Sequence, residues 1–305
     1  MKKIIVLCLC FFATRSFAAG FEILVVQNNV SEFSQRFMAG FSSQSNEKIT
    51  VMKFSENKGK NLAKEIKKRA PDLVLSLGDI PIYTAIAELP SIPFIVADLY
   101  SLDLENRSNV ILVEDRLPIY EEISMLKLLF PTIKTIGTVY NPDYTEKTYA
   151  ELEQAAQRLG LKVAPLKVST ENDVGAYVSA FKGKIDAFYL ISDNTTTHQK
   201  SVDALFQFMN ENKIPVLSTQ YNHITQGAVL SISSDPIILG TTAWKRAYQT
   251  INDGKISNRK IYLSPSELNL SVSMSALKPY NLDVKTFYQL LEQATEKGFT
   301  VTVKK

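Results

Sequence analysis

Residues 73–99 read LVLSLGDIPIYTAIAELPSIPFIVADL. Two continuous apolar runs, at 73–78 and 93–99, flank a segment of helical periodicity at 81–88. A strand with one wet face alternates apolar and polar residues. A strand that is apolar throughout has both faces covered, the condition of a parallel strand between two helix layers. This stretch therefore predicts a β–α–β unit. Working outward, the same alternation runs from Phe21 to Ser233, with further strands predicted at 21–27, 49–55, 109–114, 135–141, 162–169, 187–192, 215–219 and 227–233. Helices are predicted at 31–44, 58–69, 118–130, 144–159, 171–181, 196–212 and 237–253, the last closed by Asn252-Asp253-Gly254 as a C-cap.

So many strands would make one unusually wide sheet. Residues 123–131, ISMLKLLFP, end an apolar helix on Pro131, and a fresh strand–helix series starts at Thr135. The prediction is two doubly wound parallel-sheet α/β lobes, residues 19–133 with about 236–265 and residues 134–235 with about 266–305. Beyond Ser233 come one more helix, a strand-like SELNLSVSMS at 266–275 and a final helix at 282–297. A tail of that length implies that the chain crosses back between the lobes and builds a multi-crossover hinge.

The N-terminal residues have the pattern of a secretory leader: Lys2 and Lys3, an apolar run at 4–14, then Ser16-Phe17-Ala18 with small residues where a signal peptidase reads. The run is too short to cross a bilayer, and cleavage after about Ala18 predicts a periplasmic protein. Cys8 and Cys10 both fall in the leader, with Leu9 standing where a lipoprotein needs a small residue. The mature chain then has no disulfide and no thiolate. Lys2, Lys3 and Arg15 are the only charged groups of residues 1–18, so the formal charge of +3 leaves with them and 31 Lys+Arg face 31 Asp+Glu. A neutral protein of this kind argues against a partner bound through phosphate neutralisation, and no nucleic-acid partner is expected.

Catalytic and cofactor chemistry is thinly represented. The chain has two histidines, His198 and His223, and no HExxH, GxSxG, GxGxxG or Walker A string. SxxK occurs at 55–58 and 275–278, a pattern too short to carry weight. His198 reads as a surface residue in the first turn of a helix; His223, in the loop 220–226, is open to ligand contact. No enzyme activity, metal or cofactor is expected.

In doubly wound sheets ligands bind outside the carboxyl ends of the strands. In the first lobe those positions hold Asn28, Asn29, Gly78, Asp79, Asp98 and Tyr100; in the second, Asn141, Asp143, Asp193, Asn194, Thr195, Gln220 and Tyr221. These are side chains that hold a small polar molecule by directed hydrogen bonds, with tyrosine available for stacking. Asp and Asn at a strand-to-helix junction are also good helix N-caps, and for Asp79 and for Asp193-Asn194-Thr195 that reading stands beside the ligand reading.

Three stretches carry a family resemblance: NVILVEDRLPIYEEISMLKLLFPTIKTIGTVYNPDYTEKTYAELEQAAQRLGLKV at 109–163, DAFYLISDNTTTHQKSVDALFQFMNENKIPVLST at 186–219 and TQGAVLSISSDPIILGTTAWKRAYQTINDGK at 225–255. Together they resemble the ABC-transporter solute-binding proteins of the tryptophan/tyrosine type, which have the type I periplasmic-binding-protein fold. The family's Leu-Leu-Pro-like turn is matched by Leu128-Leu129-Phe130-Pro131, its Tyr-Asn-Pro by Tyr140-Asn141-Pro142, its Asp-Asn by Asp193-Asn194, and the turn before the final strand by Gln226-Gly227-Ala228. The resemblance implies that Asp193-Asn194 and the residues after the Gly-Thr-Pro turn of the first lobe line the cleft. Here that turn reads Gly78-Asp79-Ile80-Pro81, and the family's Gly-Val-Ser-Asp-like stretch becomes Leu112-Val113-Glu114-Asp115.

A carboxylate at Asp79 would repel the carboxylate of a zwitterionic amino acid seated on that helix start by about 1–4 kcal/mol. A ligand with a cationic or hydroxyl-rich group facing Asp79, Asp98 and Asp193 is expected instead. The implied function is capture of a small polar molecule, amino-acid-like or an amine or polyol, in an interlobe cleft. The expected partner is the membrane permease of an ABC importer, and the alternative is a membrane sensor protein to which the ligand is presented. The protein is expected to be a monomer.

Overall fold

The computed structural model describes residues 21–27, 32–43, 47–54, 61–77, 82–97, 107–114, 116–253, 259–262 and 267–305. The first sheet is built from β1 (Glu22–Gln27), β2 (Lys48–Lys53), β3 (Leu73–Leu77), β4 (Phe94–Ala97), β5 (Val110–Glu114) and, from late in the chain, β11 (Arg259–Tyr262). Its strand order is β11-β5-β4-β3-β1-β2, parallel throughout. Around it lie α1 (Glu32–Ser42), α2 (Leu62–Arg69) and α3 (Ile82–Glu88). Both faces of the central strands are buried, Ile23, Val25 and Leu75 on one side and Leu24, Val26 and Val74 on the other. This is the continuous burial that LVLSLG and FIVADL imply.

The second sheet contains β6 (Thr135–Tyr140), β7 (Lys162–Lys167), β8 (Ala187–Tyr189), β9 (Val216–Ser218), β10 (Leu230–Ser234), β12 (Leu268–Ser273) and β13 (Thr300–Lys304). Its order is β13-β12-β10-β9-β8-β6-β7, parallel except where β12 runs antiparallel to β10. The remaining helices are α4 (Ile119–Leu129), α5 (Pro142–Arg158), α6 (Glu171–Tyr177), α7 (Gln199–Glu211), α8 (Pro236–Asp253), α9 (Met274–Leu277) and α10 (Val284–Glu296). The fold is thus two doubly wound α/β lobes, the class expected from the sequence.

The two lobes begin alike. β1 and β6 share one burial pattern, half-buried at the first residue and buried thereafter, and the outer strands KITVMK (β2) and KVAPLK (β7) share another. Lysines at both ends of an edge strand, and Pro165 within β7, discourage pairing with another chain.

Helix contacts show where the chain changes lobe. α4 packs on α5 and α10, helices of the second sheet. The chain leaves the first sheet after β5, and α4, which ends just before Pro131, packs with helices that follow strands of the second sheet. α8 packs along the whole of α1, and β11 follows in the first sheet; β12 and β13 return to the second. The α1–α8 crossing is held by glycines. A Cβ at Gly240 would lie 2.0 Å from the Phe37 carbonyl oxygen, and one at Gly40 2.0 Å from that of Ile237. Phe41 meets Trp244 edge to face beside the crossing, at 5.4 Å between ring centres.

Two short strands, β11 and β13, lie outside the strands read from sequence; both are edge strands of only four or five residues. α5 begins at Pro142, two residues before the predicted start, because proline at the first helical position needs no N–H partner and Asn141 caps the turn. α7 begins at Gln199, after the predicted Thr196, because the residues following Asp193 form a turn of their own and His198 serves as the cap.

Candidate functional site

The carboxyl edge of the second sheet is where polar side chains converge. Asp193, four residues past β8, is wholly buried. Its Oδ2 accepts from the Asn141 backbone N–H at 3.0 Å and from Thr145 Oγ1 at 2.8 Å. Its Oδ1 accepts from the N–H groups of Thr195 and Thr196, both at 2.8 Å. A carboxylate has about four acceptor positions, and all four are filled from within the protein. The backbone of Asp193 is tied as firmly: its N–H donates to Thr196 Oγ1 at 2.9 Å, and its carbonyl accepts from Thr197 Oγ1 at 2.6 Å.

Asn141, just past β6, is buried beside it. The Asn141 Oδ1 accepts from Asp143 N–H at 3.0 Å, capping α5. Its Nδ2 donates to the Ser169 carbonyl at 3.2 Å and to Thr195 Oγ1 at 2.9 Å. Ser201 Oγ then donates to the Thr195 carbonyl at 2.6 Å. Asn141, Asp193 and Thr195 thus form one knot joining the ends of β6, β7 and β8. Next to it, backbone N–H groups of Ser169 and Thr170 hold the Asp173 carboxyl below the usual carboxylate range.

Beside the knot, at the ends of β8 and β9, stand two hydroxyls. Ser192 and Thr219, both half-buried, bond to each other at 3.2 Å between Oγ and Oγ1. They stand side by side because the ladder between β8 and β9 continues through Leu190 N–H to the Leu217 carbonyl, 3.0 Å. Asn194 is exposed at the same edge. Sequence reasoning did not single out Ser192 or Thr219. Each was counted as the last residue of a strand, although the strands end earlier, at Tyr189 and Ser218.

The other second-lobe candidates are dispersed. Asp143 is exposed on the first turn of α5. Gln220 is half-buried, its N–H donating to Ser218 Oγ at 3.0 Å. The Tyr221 ring lies under the Lys304 ammonium, 4.4 Å from Nζ to ring centre. Lys304 pairs with Ser273, at the end of β12 away from the one that meets Ser234. Tyr221 is therefore drawn from the carboxyl edge toward the start of β10. His223 is buried, with Nδ1 2.7 Å from Ser218 Oγ and its ring 5.4 Å from that of Phe206. Burial pushes its pKa down to about 4, so it is a neutral core group rather than a surface contact. The first-lobe candidates Asn28, Asn29, Gly78, Asp79, Asp98 and Tyr100 lie outside the described residues.

Deeper in the second lobe, the Tyr189 hydroxyl donates to the buried carboxylate of Glu122, and burial followed by that charge holds the phenol's pKa well above its ordinary value. Arg116 reaches Glu151 at 2.9 Å. Among the described residues no group of three His, Cys, Asp or Glu could hold a metal ion, and no helix is long and apolar enough to cross a membrane.

Two doubly wound lobes with a chain that passes repeatedly between them define a type I periplasmic-binding-like protein. Over residues 39–297 the chain matches the ABC transporter substrate binding protein family, and it belongs to that family. It is accordingly a binding protein, not an enzyme. A curated relative, the tyrosine-binding protein of Clostridioides difficile strain R20291, is 28% identical over 180 residues, 57% of this chain. The match spans about half, 51%, of that protein's length. Among solved structures, the ligand-free, open form of a substrate-binding protein with adhesive properties from Clostridium difficile superimposes with a TM-score of 0.65 at 20% identity, covering 93% of this chain and 100% of the other. An ABC domain from Streptococcus pneumonia in complex with L-Trp gives 0.66 at 20% identity, with the same coverages.

Proposed function

We propose that this substrate-binding protein is exported to the periplasm with loss of its leader, captures a small polar molecule between its lobes as a monomer, and hands it to the membrane permease of an ABC importer. The observation that carries this reading is the second-lobe edge, where a buried, self-saturated knot supports an uncharged lip of Ser192, Asn194 and Thr219 at the carboxyl ends of parallel strands. The curated relative's name and the L-Trp complex support an amino-acid-like ligand.

Register supports carrying the site into the first lobe. Ile23 pairs with Leu73, and Ile136 with Ala187. Six residues past Ala187 stands Asp193, and six past Leu73 stands Asp79; one residue past β6 stands Asn141, and one past β1 stands Asn28. One difference bears on the ligand. Thr195, two residues past Asp193, gives its N–H to that carboxylate, whereas the residue two past Asp79 is Pro81, which has no N–H. Pro81 thus offers Asp79 no N–H of the kind that Thr195 gives Asp193, and Asp79 is our choice for a ligand ammonium, alongside Asp98 and Tyr100. Of the three carboxylates expected from sequence to face a cation, Asp193 is accounted for internally.

Native mass spectrometry of protein purified from the periplasm tests the reading, followed by a thermal-shift panel of L-tyrosine, L-tryptophan, tyramine and ribitol. A co-purified small molecule and stabilisation by an ammonium- or hydroxyl-bearing member are expected. An empty protein that none of the four stabilises would refute it.

A further inference from the structure

We infer that the Ser192–Thr219 hydroxyl pair is the group with which the second lobe reads its ligand, and that it reads a hydroxyl. The inference rests on the binding role proposed above and narrows it to one ligand group.

Each side-chain hydroxyl brings one proton and two lone pairs. The mutual bond at 3.2 Å uses one proton and one lone pair, so the pair offers one O–H donor and several acceptor positions together. Both residues are half-buried at adjoining strand ends, where a ligand seated at the carboxyl edge would meet them. The charged candidate nearest in sequence, Asp193, is buried and satisfied on both oxygens, and Asn141 and Thr195 are engaged with it or with each other. A site that donates and accepts at one spot, with no charge of its own, is matched by a ligand hydroxyl, which does the same. An ammonium could only donate to it and a carboxylate could only accept.

The test is isothermal titration of two probe pairs that differ by one hydroxyl, L-tyrosine against L-phenylalanine and tyramine against phenethylamine. The wild-type protein is expected to favour the hydroxylated member of at least one pair by about tenfold or more, the value of one to two hydrogen bonds. In the double variant Ser192→Ala/Thr219→Val the preference falls to within about twofold through loss of affinity for the hydroxylated member, and Thr219→Ser retains the preference. Far-ultraviolet circular dichroism of the ligand-free variants confirms that they fold. A preference that survives in the double variant, or that is absent from a wild-type protein binding both members equally, overturns the inference and leaves the binding role standing. Binding of none of the four probes also overturns this inference, while the binding role stands or falls on the native mass spectrometry and the thermal-shift panel above.

Discussion

The Gly240→Ala substitution puts the packing of α1 on α8 to a direct test. The added Cβ would lie 2.0 Å from the Phe37 carbonyl oxygen, 2.8 Å from Phe41 N and 2.9 Å from the Phe37 carbonyl carbon. These are backbone atoms of α1, so no rotamer change relieves the overlap, and the helices must move apart by about 1.5 Å to restore ordinary contact. A gap of 0.5–1 Å forfeits about a quarter to a half of the dispersion energy across it. Here a gap at least that wide would open between Phe37, Phe41, Ala243, Trp244 and Ala247, all buried at this crossing. Overpacking of this kind costs about 1–3 kcal/mol, and alanine's advantage over glycine in a helix returns about 1 kcal/mol. A contact this short with backbone belongs at the upper end, for a net loss of about 2 kcal/mol and a Tm lowered by about 4–8 °C. Differential scanning calorimetry of the full chain measures it, with Gly175→Ala as control. That position in α6 has only the Ala204 methyl within reach, at 3.7 Å, so the same substitution there should hold or raise the Tm. If Gly240→Ala left the Tm unchanged, or shifted it as Gly175→Ala does, the close crossing of α1 and α8 would be refuted.

Asp193→Asn replaces an acceptor oxygen by a donor that faces two other donors; urea unfolding without ligand should show a loss of about 2 kcal/mol or more. A variant of wild-type stability that merely failed to bind would restore Asp193 as a ligand contact. For His223 the folded pKa of about 4 lies below the ordinary 6.5, so between those values the unfolded chain takes up a proton that the folded chain refuses. Stability is then full above pH 6.5 and falls as the pH drops toward 4, by up to about 3 kcal/mol. Unfolding midpoints across that range should be flatter for His223→Gln, and an equal slope in both proteins would exclude the histidine as the cause. Tyr189→Phe removes the phenol donor from buried Glu122 and should cost about 2 kcal/mol in the same measurement, an unchanged midpoint counting against the contact.

The parallel sheets were legible because burial on both faces leaves a mark that needs no neighbour: LVLSL, FIVA and the runs around AFY are apolar at every or nearly every residue. The first crossover was not. Residues 119–129 are apolar enough to pack on either lobe, and only contacts with α5 and α10 assign them. The site was legible as a set of positions and not as a set of roles. Asp193 and Asp143 are both carboxylates near a strand end, yet one is sealed beneath four donors and the other stands in solvent. What separates them is whether the next turn folds its N–H groups back onto the side chain. That depends on Thr195 and Thr196 following Asp193, while Asp143 lies inside a helix that Asn141 already caps. Ser192 and Thr219 escaped notice for the opposite reason, since a hydroxyl at the end of an apolar run looks like the last residue of the strand.

Specific pairs fasten the chain where it passes from one lobe to the other. Just past β5, Arg116 joins Glu151 on α5 and donates to the Leu117 carbonyl, while Glu122 of α4 takes the Tyr189 hydroxyl from β8. Each of these contacts ties the entering chain to the second lobe within a few residues of leaving the first. The return crossing is fastened in the same manner. Asp235, directly after β10, pairs with Arg36 of α1 at 2.7 Å and accepts from Ile237 N–H at 2.8 Å, so the start of α8 is bound to the first lobe at once. The exposed Arg36–Asp235 pair adds little by itself, about 0–1 kcal/mol. The α1–α8 glycine crossing beside it holds the helix whose first residues leave that crossover, so among the described glycines the two of closest backbone approach stand at a point where the two lobes connect.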